Sequence, residues 1–474
     1  MGQEIATSQF SQADFDTFRV RLKQETDLLA SWLATDRLAS RPFTAGFEME
    51  VWLVGRNLAP APCVEQLLQA LDDPLVVPEL ATFNAEINCP PRALRGSALS
   101  ELAADLAAVW TRCQTVGATL DIRLAMIGIL PTVRPEHLSM ANMAPRERYR
   151  ALNDRIFRLR GGRPLQLAIE GCDRLDLTWK DVMLESAATS FQIHLKISPE
   201  IAARVYNLAK ILSAPMVAIT ANSPFLFGKE LWHETRIPLF EQAVSVGGPV
   251  LSERVNFGFR YAQASIMETF QANIDRYPIL LPQLLDEPPE RLAHLRLHNG
   301  TIWRWNRPLI GFDADDRPHL RIEHRVMPAG PTLTDAIANA ALFYGAMHSM
   351  LLEPEPAEHR LPFAAARQNF YAAARNGLEA QISWLDGRYH PVSELLREEI
   401  VPRAYDGLAA LDIGDEERKK WLSVIAARIA TGQNGAVWQH RWAARHGMDM
   451  TQLLRAYLTR QEAGSPVHEW DSED

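Results

Sequence analysis

The chain has 474 residues, 47% of them hydrophobic, with 49 basic and 58 acidic side chains, a formal charge of -9 and a pI near 5.9. That length and apolar fraction allow one large domain or two ordinary ones with a sizeable core. A mild acidic excess without long runs of either sign excludes a nucleic-acid or anionic-membrane partner on charge grounds. Residues 1–40 lack the basic start and apolar core of a signal peptide, and no apolar stretch is long enough to span a bilayer. A soluble, cytoplasmic protein is expected. Cys63, Cys89, Cys113 and Cys172 have no CxxC spacing, so they read as reduced thiols outside any zinc site or disulfide framework.

Phe15, Phe18, Leu22, Leu29, Trp32 and Leu33 recur at three- and four-residue spacing, which predicts an amphipathic helix on the outside of the core. Next comes strict alternation: Phe43, Ala45, Phe47, Met49 and Val51 share one strand face, and Glu48 and Glu50 share the other. The same split returns with Phe83, Ala85 and Ile87 against Asn84, Glu86 and Asn88. Helical patterns follow at about 96–116 and 145–160. A third strand sets Phe191, Ile193, Leu195 and Ile197 against Ser190, Gln192, His194 and Lys196. After helical patterns at 200–214 and 261–285, a fourth sets Leu320, Ile322 and Val326 against Arg321, Glu323 and Arg325. From about 333 to the end the pattern is helical. Turns are marked at Pro90-Pro91, Gly161-Gly162, Gly247-Gly248-Pro249 and Pro328-Ala329-Gly330-Pro331. Strands with one apolar and one acid- and amide-rich face predict an α+β fold, a largely antiparallel sheet backed by helices. Residues 1–340 would form the body with its N-terminal helix, and 341–474 an α-helical region packed on the same body.

Two carboxylates at i and i+2 of a strand lie roughly 7 Å apart, and like charges that close repel unless a cation or solvent separates them. Glu48 and Glu50 have no Lys or Arg beside them, so they could hold a hard divalent cation or simply face water. Glu86, between Asn84 and Asn88, alone reads as edge-strand decoration. Glu323 is flanked on its own face by Arg321 and Arg325, which could pair with it, or Glu323 could bind metal while the Arg325 fork takes a phosphate. Gln192 and His194 share a polar face, where a lone histidine can be ligand or hydrogen-bonded structure. His298 to Arg307 packs Trp303 and Trp305 among Arg304 and Arg307, either as a structural stack or as a rigid holder for Arg307.

In order, Gly46-Phe47-Glu48-Met49-Glu50, Asn84-Ala85-Glu86-Ile87-Asn88, Thr189 to His194, Ala221-Asn222-Ser223-Pro224-Phe225 with Arg236, Asn256-Phe257-Gly258-Phe259, His298 to Arg307, and Glu323-His324-Arg325 with Gly330-Pro331 resemble the glutamate–cysteine ligases of the glutamine synthetase-like superfamily, in their bacterial and plant-type branch. The resemblance spans most of residues 40–340. It implies an antiparallel sheet curved into a bowl with helices on its convex side, and an ATP-dependent ligase that forms an amide through an acyl phosphate. The expected donor and acceptor are glutamate and cysteine, the route to glutathione. Two or three Mg2+ ions, or Mn2+, would sit on Glu48, Glu50, Glu86, His194 and Glu323. Arg325 and Arg307 would act on the phosphates, and Arg236, Thr189, Gln192 and Asn222 would contact substrate or ATP. Loops around Arg146-Glu147-Arg148-Tyr149 and Gly247-Gly248 would cover the site. The chain departs from the family pattern in Gln192-x-His194, in Pro328 where an acid commonly stands, and in Trp303-Arg304-Trp305. Those departures leave the acid and amine open: the same chemistry on another pair, or a non-catalytic nucleotide binder, are the alternatives.

Overall fold

The structure, a computed structural model, describes residues 4–35, 37–39, 43–247 and 253–473. Strand β1 (Thr44–Gly55) forms where the alternation begins, and its apolar set Ala45, Phe47, Met49 and Val51 is buried. Helix α2 (Val64–Leu71), strand β2 (Val76–Pro78) and strand β3 (Asn84–Ala93) follow, then α3 (Ala98–Thr119), β4 (Ile122–Ala125) and α4 (Glu147–Leu159). A hairpin of β5 (Leu165–Glu170) and β6 (Arg174–Trp179) precedes β7 (Ser190–Ile197) and α5 (Ala202–Thr220). After a small hairpin, β8 (Phe225–Leu226) and β9 (Lys229–Glu230), come α6 (Arg236–Ala243), α7 (Met267–Arg276), α8 (Ala293–Gly300), β10 (Asn306–Phe312) and β11 (Pro318–Pro328).

Among the described residues β10, β11, β7, β1, β3 and β2 lie side by side in that order, with β4 on the far end of β1, in one strongly curled sheet of seven strands. Every neighbouring pair is antiparallel. The fold is thus the α+β, curled antiparallel architecture the sequence predicts. Its apolar face is covered by α5, which is buried throughout except at Ala203 and Arg204, and by α9 (Leu333–Leu352). Phe47 packs against Tyr344 and Phe191, and His324 stacks on Phe343 with ring centroids 4.2 Å apart. Helix α1 (Gln12–Leu33), opened by a Ser11–Asp14 capping box, lies against α8.

Helix α9 runs across residue 340 and meets α13 (Val401–Ala410) at bare backbone. A Cβ on Gly407 would stand 1.9 Å from the Gly345 carbonyl oxygen, so only glycine fits that crossing. Helices α14 (Asp415–Thr431), α15 (Gly435–His446) and α16 (Met450–Ala463) complete the layer. They are riveted to the sheet side by polar bonds. Arg428 donates to Asp335 at 2.7 Å, Tyr457 Oη donates to the Met126 carbonyl at 2.7 Å, and Gln461 bridges Met126 N and Leu124 O. Over 261–285 only Met267–Arg276 is helical, because Tyr277 precedes Pro278 and leaves the helical region, and Pro282 follows. No helix among the described residues is long and apolar enough to cross a membrane.

Candidate active site

Strand register gathers the acids that the sequence scatters. Glu48 stands opposite Gln192, Glu50 opposite Glu86, Glu323 opposite His194, and Arg307 opposite Glu323. Alternation puts all of them on the polar face of the sheet. Gly46 lies opposite His194 and offers no side chain, and the imidazole leans to Glu48, with Nε2 3.2 Å from Oε1.

Two sets of groups able to hold a cation result. Glu48, His194 and Glu323 form one and Glu50, Glu79 and Glu86 the other, with the donor atoms of each set within 4.8 Å of one another. In the second set Glu50 accepts hydrogen bonds from Ser190 N at 2.6 Å and Gln192 Nε2 at 2.8 Å, and Glu86 accepts one from Asn88 Nδ2 at 3.0 Å. Burial pushes Glu50 up to about 7, with Arg325 opposing and Glu86 reinforcing the rise. Burial, then Glu86 and Glu50, push Glu79 well above the usual carboxylate range. In the first set the balance is opposite. Burial works to raise Glu48, but His194 and Arg321 hold it below its ordinary value. Glu323 is likewise buried yet held low by Arg307 and Arg325.

The buried oxygens Glu48 Oε2, Glu79 Oε1 and Gln192 Oε1 have no hydrogen-bond partner among the described residues. Crowded carboxylates with orphaned oxygens are what a hard divalent cation satisfies, so the donor set fits such an ion. His194 makes the first set mixed in character, which also suits Mn2+.

The guanidinium groups divide into committed and available. Arg307 donates from Nε and Nη2 to the two oxygens of Glu323 and from Nη1 to the Gly300 carbonyl. Arg325, nearly buried over the Phe240 ring, has Nε and Nη1 without hydrogen-bond partners and only a 3.7 Å approach to Glu323. Its donors remain available for an anion.

Three residues expected to contact substrate make hydrogen bonds within the protein. Arg236 donates to Glu234 and to the carbonyls of Arg325 and Val326, stacked over Trp305, so it ties down the irregular stretch of β11 between His324 and Met327. Thr189 donates to the Ile127 carbonyl and accepts from Trp52 Nε1. Asn222 bonds Ala329 O, Tyr457 Oη and Gln439 Nε2. None of the three lines the cavity over the acids, whose volume is about 610 Å3. Glu48, Glu79, Glu323 and Arg307 do line it, and Glu50, Glu86, Gln192, His194 and Arg325 are not among its lining residues.

Arg148 and Tyr149, expected in a covering loop, line the cavity from the first turn of α4. Gly247 is described and Gly248 lies outside the described residues. Sequence reading missed Glu79 and Glu185. Glu79 follows a three-residue strand ending in proline, and Glu185 sits on the single 3-10 turn Met183–Ala187, so neither has a periodic neighbour to mark its face. Burial, with Glu50 adding to it and Arg325 opposing, pushes Glu185 up to about 8.

A family model described as glutamate-cysteine ligase family 2 matches residues 44–456. The fold is similar to that of a glutamate–cysteine ligase from Francisella tularensis in complex with AMP, at 11% identity and TM-score 0.56, covering 92% of this chain and 91% of that one. It is also similar to a bifunctional glutathione synthetase from Pasteurella multocida, at 11% identity and TM-score 0.57, covering 92% of this chain and 55% of that longer one. Comparison with curated protein sequences gives no match.

Proposed function

The chain belongs to the glutamate–cysteine ligase family 2 and is an ATP-dependent carboxylate–amine ligase, and from that premise we propose that it joins the side-chain carboxylate of glutamate to an amine through an acyl phosphate, with Mg2+ as the resident cation. The observation that carries this reading is the pair of acid sets on one sheet face beside the uncommitted donors of Arg325. A carboxylate is a poor acyl donor until it is phosphorylated, and phosphoryl transfer asks a protein mainly for positioning and charge neutralisation. Bound on Glu50, Glu79 and Glu86 and on Glu48, His194 and Glu323, divalent cations would supply charge neutralisation at the ATP phosphates.

The chain's own groups do the rest. Arg325, whose Nε and Nη1 donors have no partner, is the group assigned to the transferring phosphoryl group. Arg307 fixes Glu323 through its two parallel bonds, and Arg236 fixes the backbone on which Arg325 stands. The apolar side of the cavity, with Leu152, Ile156, Val182, Phe240 and Val244, would limit the water that hydrolyses an acyl phosphate. Cysteine is the acceptor that the family name points to. A second reading, another amine, is favoured by the apolar side chains Trp303, Phe240, Val244 and Val182 on the cavity wall.

The test is ADP release from ATP with glutamate and cysteine, with Mg2+ and with chelator, and identification of the product by mass. Glutamate-dependent ADP formation that chelator abolishes is expected. ADP formation indifferent to any acid or to divalent ions would overturn the reading.

A further inference from the structure

The cavity has two unlike walls. One is built by α8, β10 and β11, which are held together by the Asn299 Nδ2 bond to Pro308 O at 2.9 Å and by Arg291 stacked 4.2 Å from the Phe312 ring centroid. Arg291, Arg296, Arg307 and Arg321 line that side, a cationic surface suited to a polyphosphate. The other wall is built by α4, the Met183–Ala187 turn and α6. Asn153 of α4 accepts from Val182 N at 3.2 Å, and α6 packs on the turn. Leu152, Ile156, Val182, Phe240 and Val244 line this side, and Trp303 stands 6.5 Å from Phe240 between ring centroids.

Polar groups on this second wall are few. Arg148 donates to Tyr149 Oη at 2.6 Å and is drawn to Glu79. Glu185 is different. It lines the cavity, and its carboxylate takes part in no hydrogen bond or ion pair among the described residues. An acidic group on an otherwise apolar wall is matched by a ligand with one cationic end and an apolar remainder. An amino-acid acceptor would bring a carboxylate too, and the one cation here, Arg148, is already engaged.

We propose that this wall is the acceptor compartment and that it takes a primary amine with an apolar, ring-sized substituent and no carboxylate, its ammonium seated on Glu185. The proposal rests on the ligase reading above and narrows the acceptor. The seated ammonium gives up one proton to solvent. The freed nitrogen lone pair attacks the acyl carbon, the bond from that carbon to the phosphate oxygen breaks, and a second proton from nitrogen leaves with the phosphate. One amide and one inorganic phosphate result.

The test uses the full chain with ATP, Mg2+ and glutamate, and reads phosphate release with methylamine, ethanolamine, cysteine, hexylamine and benzylamine. Benzylamine should exceed ethanolamine and cysteine in kcat/KM by about tenfold or more. A preference for cysteine, or no dependence on substituent, overturns the proposal. Val244→Trp, which fills the compartment, should lower the ratio of benzylamine to methylamine turnover, and an unmoved ratio overturns the placement. Glu185→Gln should raise the KM for amine about ten- to a hundredfold. If the Mg2+ requirement shifts instead, Glu185 is a cation ligand and the proposal fails. Trapping with hydroxylamine separates the two levels. Hydroxamate formed with glutamate, without the amine preference, sinks the acceptor assignment alone. No hydroxamate and no ADP with any acidic amino acid sinks the ligase reading, and the acceptor assignment with it.

Discussion

Arg307 and Glu323 face each other on adjacent strands and share two hydrogen bonds, Nε to Oε2 at 2.9 Å and Nη2 to Oε1 at 2.7 Å, with both side chains nearly sealed from solvent. The same carboxylate belongs to the set with Glu48 and His194, so one residue links the cationic wall to the acid floor. Removing one member of a buried pair leaves the other charge uncompensated. Arg307→Ala should therefore cost about 3–5 kcal/mol, and Arg307→Ala with Glu323→Ala less than the sum of the two singles. Urea unfolding of the four proteins checks this, and additive costs would show that the pair is not coupled.

Glu79 tests the second acid set. Burial and the neighbouring acids Glu86 and Glu50 disfavour its ionised form, so Glu79→Gln should raise the melting midpoint in chelator only at a pH high enough to ionise the wild-type carboxyl. Excess Mg2+ should then stabilise the wild type by about 2.7 kcal/mol at a hundredfold over Kd, and the variant by much less. An equal Mg2+ shift in both proteins would remove Glu79 from the cation site.

Glu241 gives a pH dependence away from the acid sets. It accepts hydrogen bonds from Trp305 Nε1 and Tyr371 Oη, both at 2.8 Å, yet burial outweighs them and raises its carboxyl to about 7. A folded value above the unfolded one means the native state holds the proton longer. That contribution to stability is complete below about pH 4.5 and is lost as the pH climbs through 7. Glu241→Gln keeps an acceptor without the charge. Relative to wild type it should gain about 1.4 kcal/mol per pH unit between about pH 5 and 7, then level off. A flat difference would mean that Glu241 stays ionised.

Arg236 and Arg325 should separate by stability. Arg236 is wholly committed to Glu234 and to two β11 carbonyls, whereas Arg325 keeps donors open. Arg236→Ala should lower the melting midpoint and kcat together, with about 3–5 kcal/mol lost because Glu234 is left buried and unpaired. Arg325→Ala should lower kcat with the smaller melting change. The reverse order would return Arg236 to the cleft as a substrate contact.

What the sequence made legible was whatever repeats at period two. Glu48, Glu50, Glu86, Gln192, His194, Glu323 and Arg325 could be put on one face because each sits inside an alternating run with apolar neighbours to set the phase. Residues outside such runs have no apolar neighbours to set their phase. Glu79 and Glu185 stand on a strand end and a single turn. Thr189, Asn222 and Arg236 lie in the right stretches of chain, but which group each one meets depends on elements 62 to 235 residues away: Asn222 donates to the Tyr457 hydroxyl, for example. The helix over-read at 261–285 had the right apolar spacing, and Pro278 outweighed it.

The bonds from Tyr457 and Gln461 to Met126 and Leu124 join positions more than 330 residues apart. They also set a schedule for synthesis. Every strand of the sheet, from Thr44 to Pro328, leaves the ribosome before the helix that anchors Asn222 and the carbonyl of Met126 has been made. During translation at about 5–20 residues per second, the acids emerge into a cleft whose rear supports are still missing. A nascent chain that has not yet reached Met450 therefore holds every acid of the two sets while lacking the brace behind them.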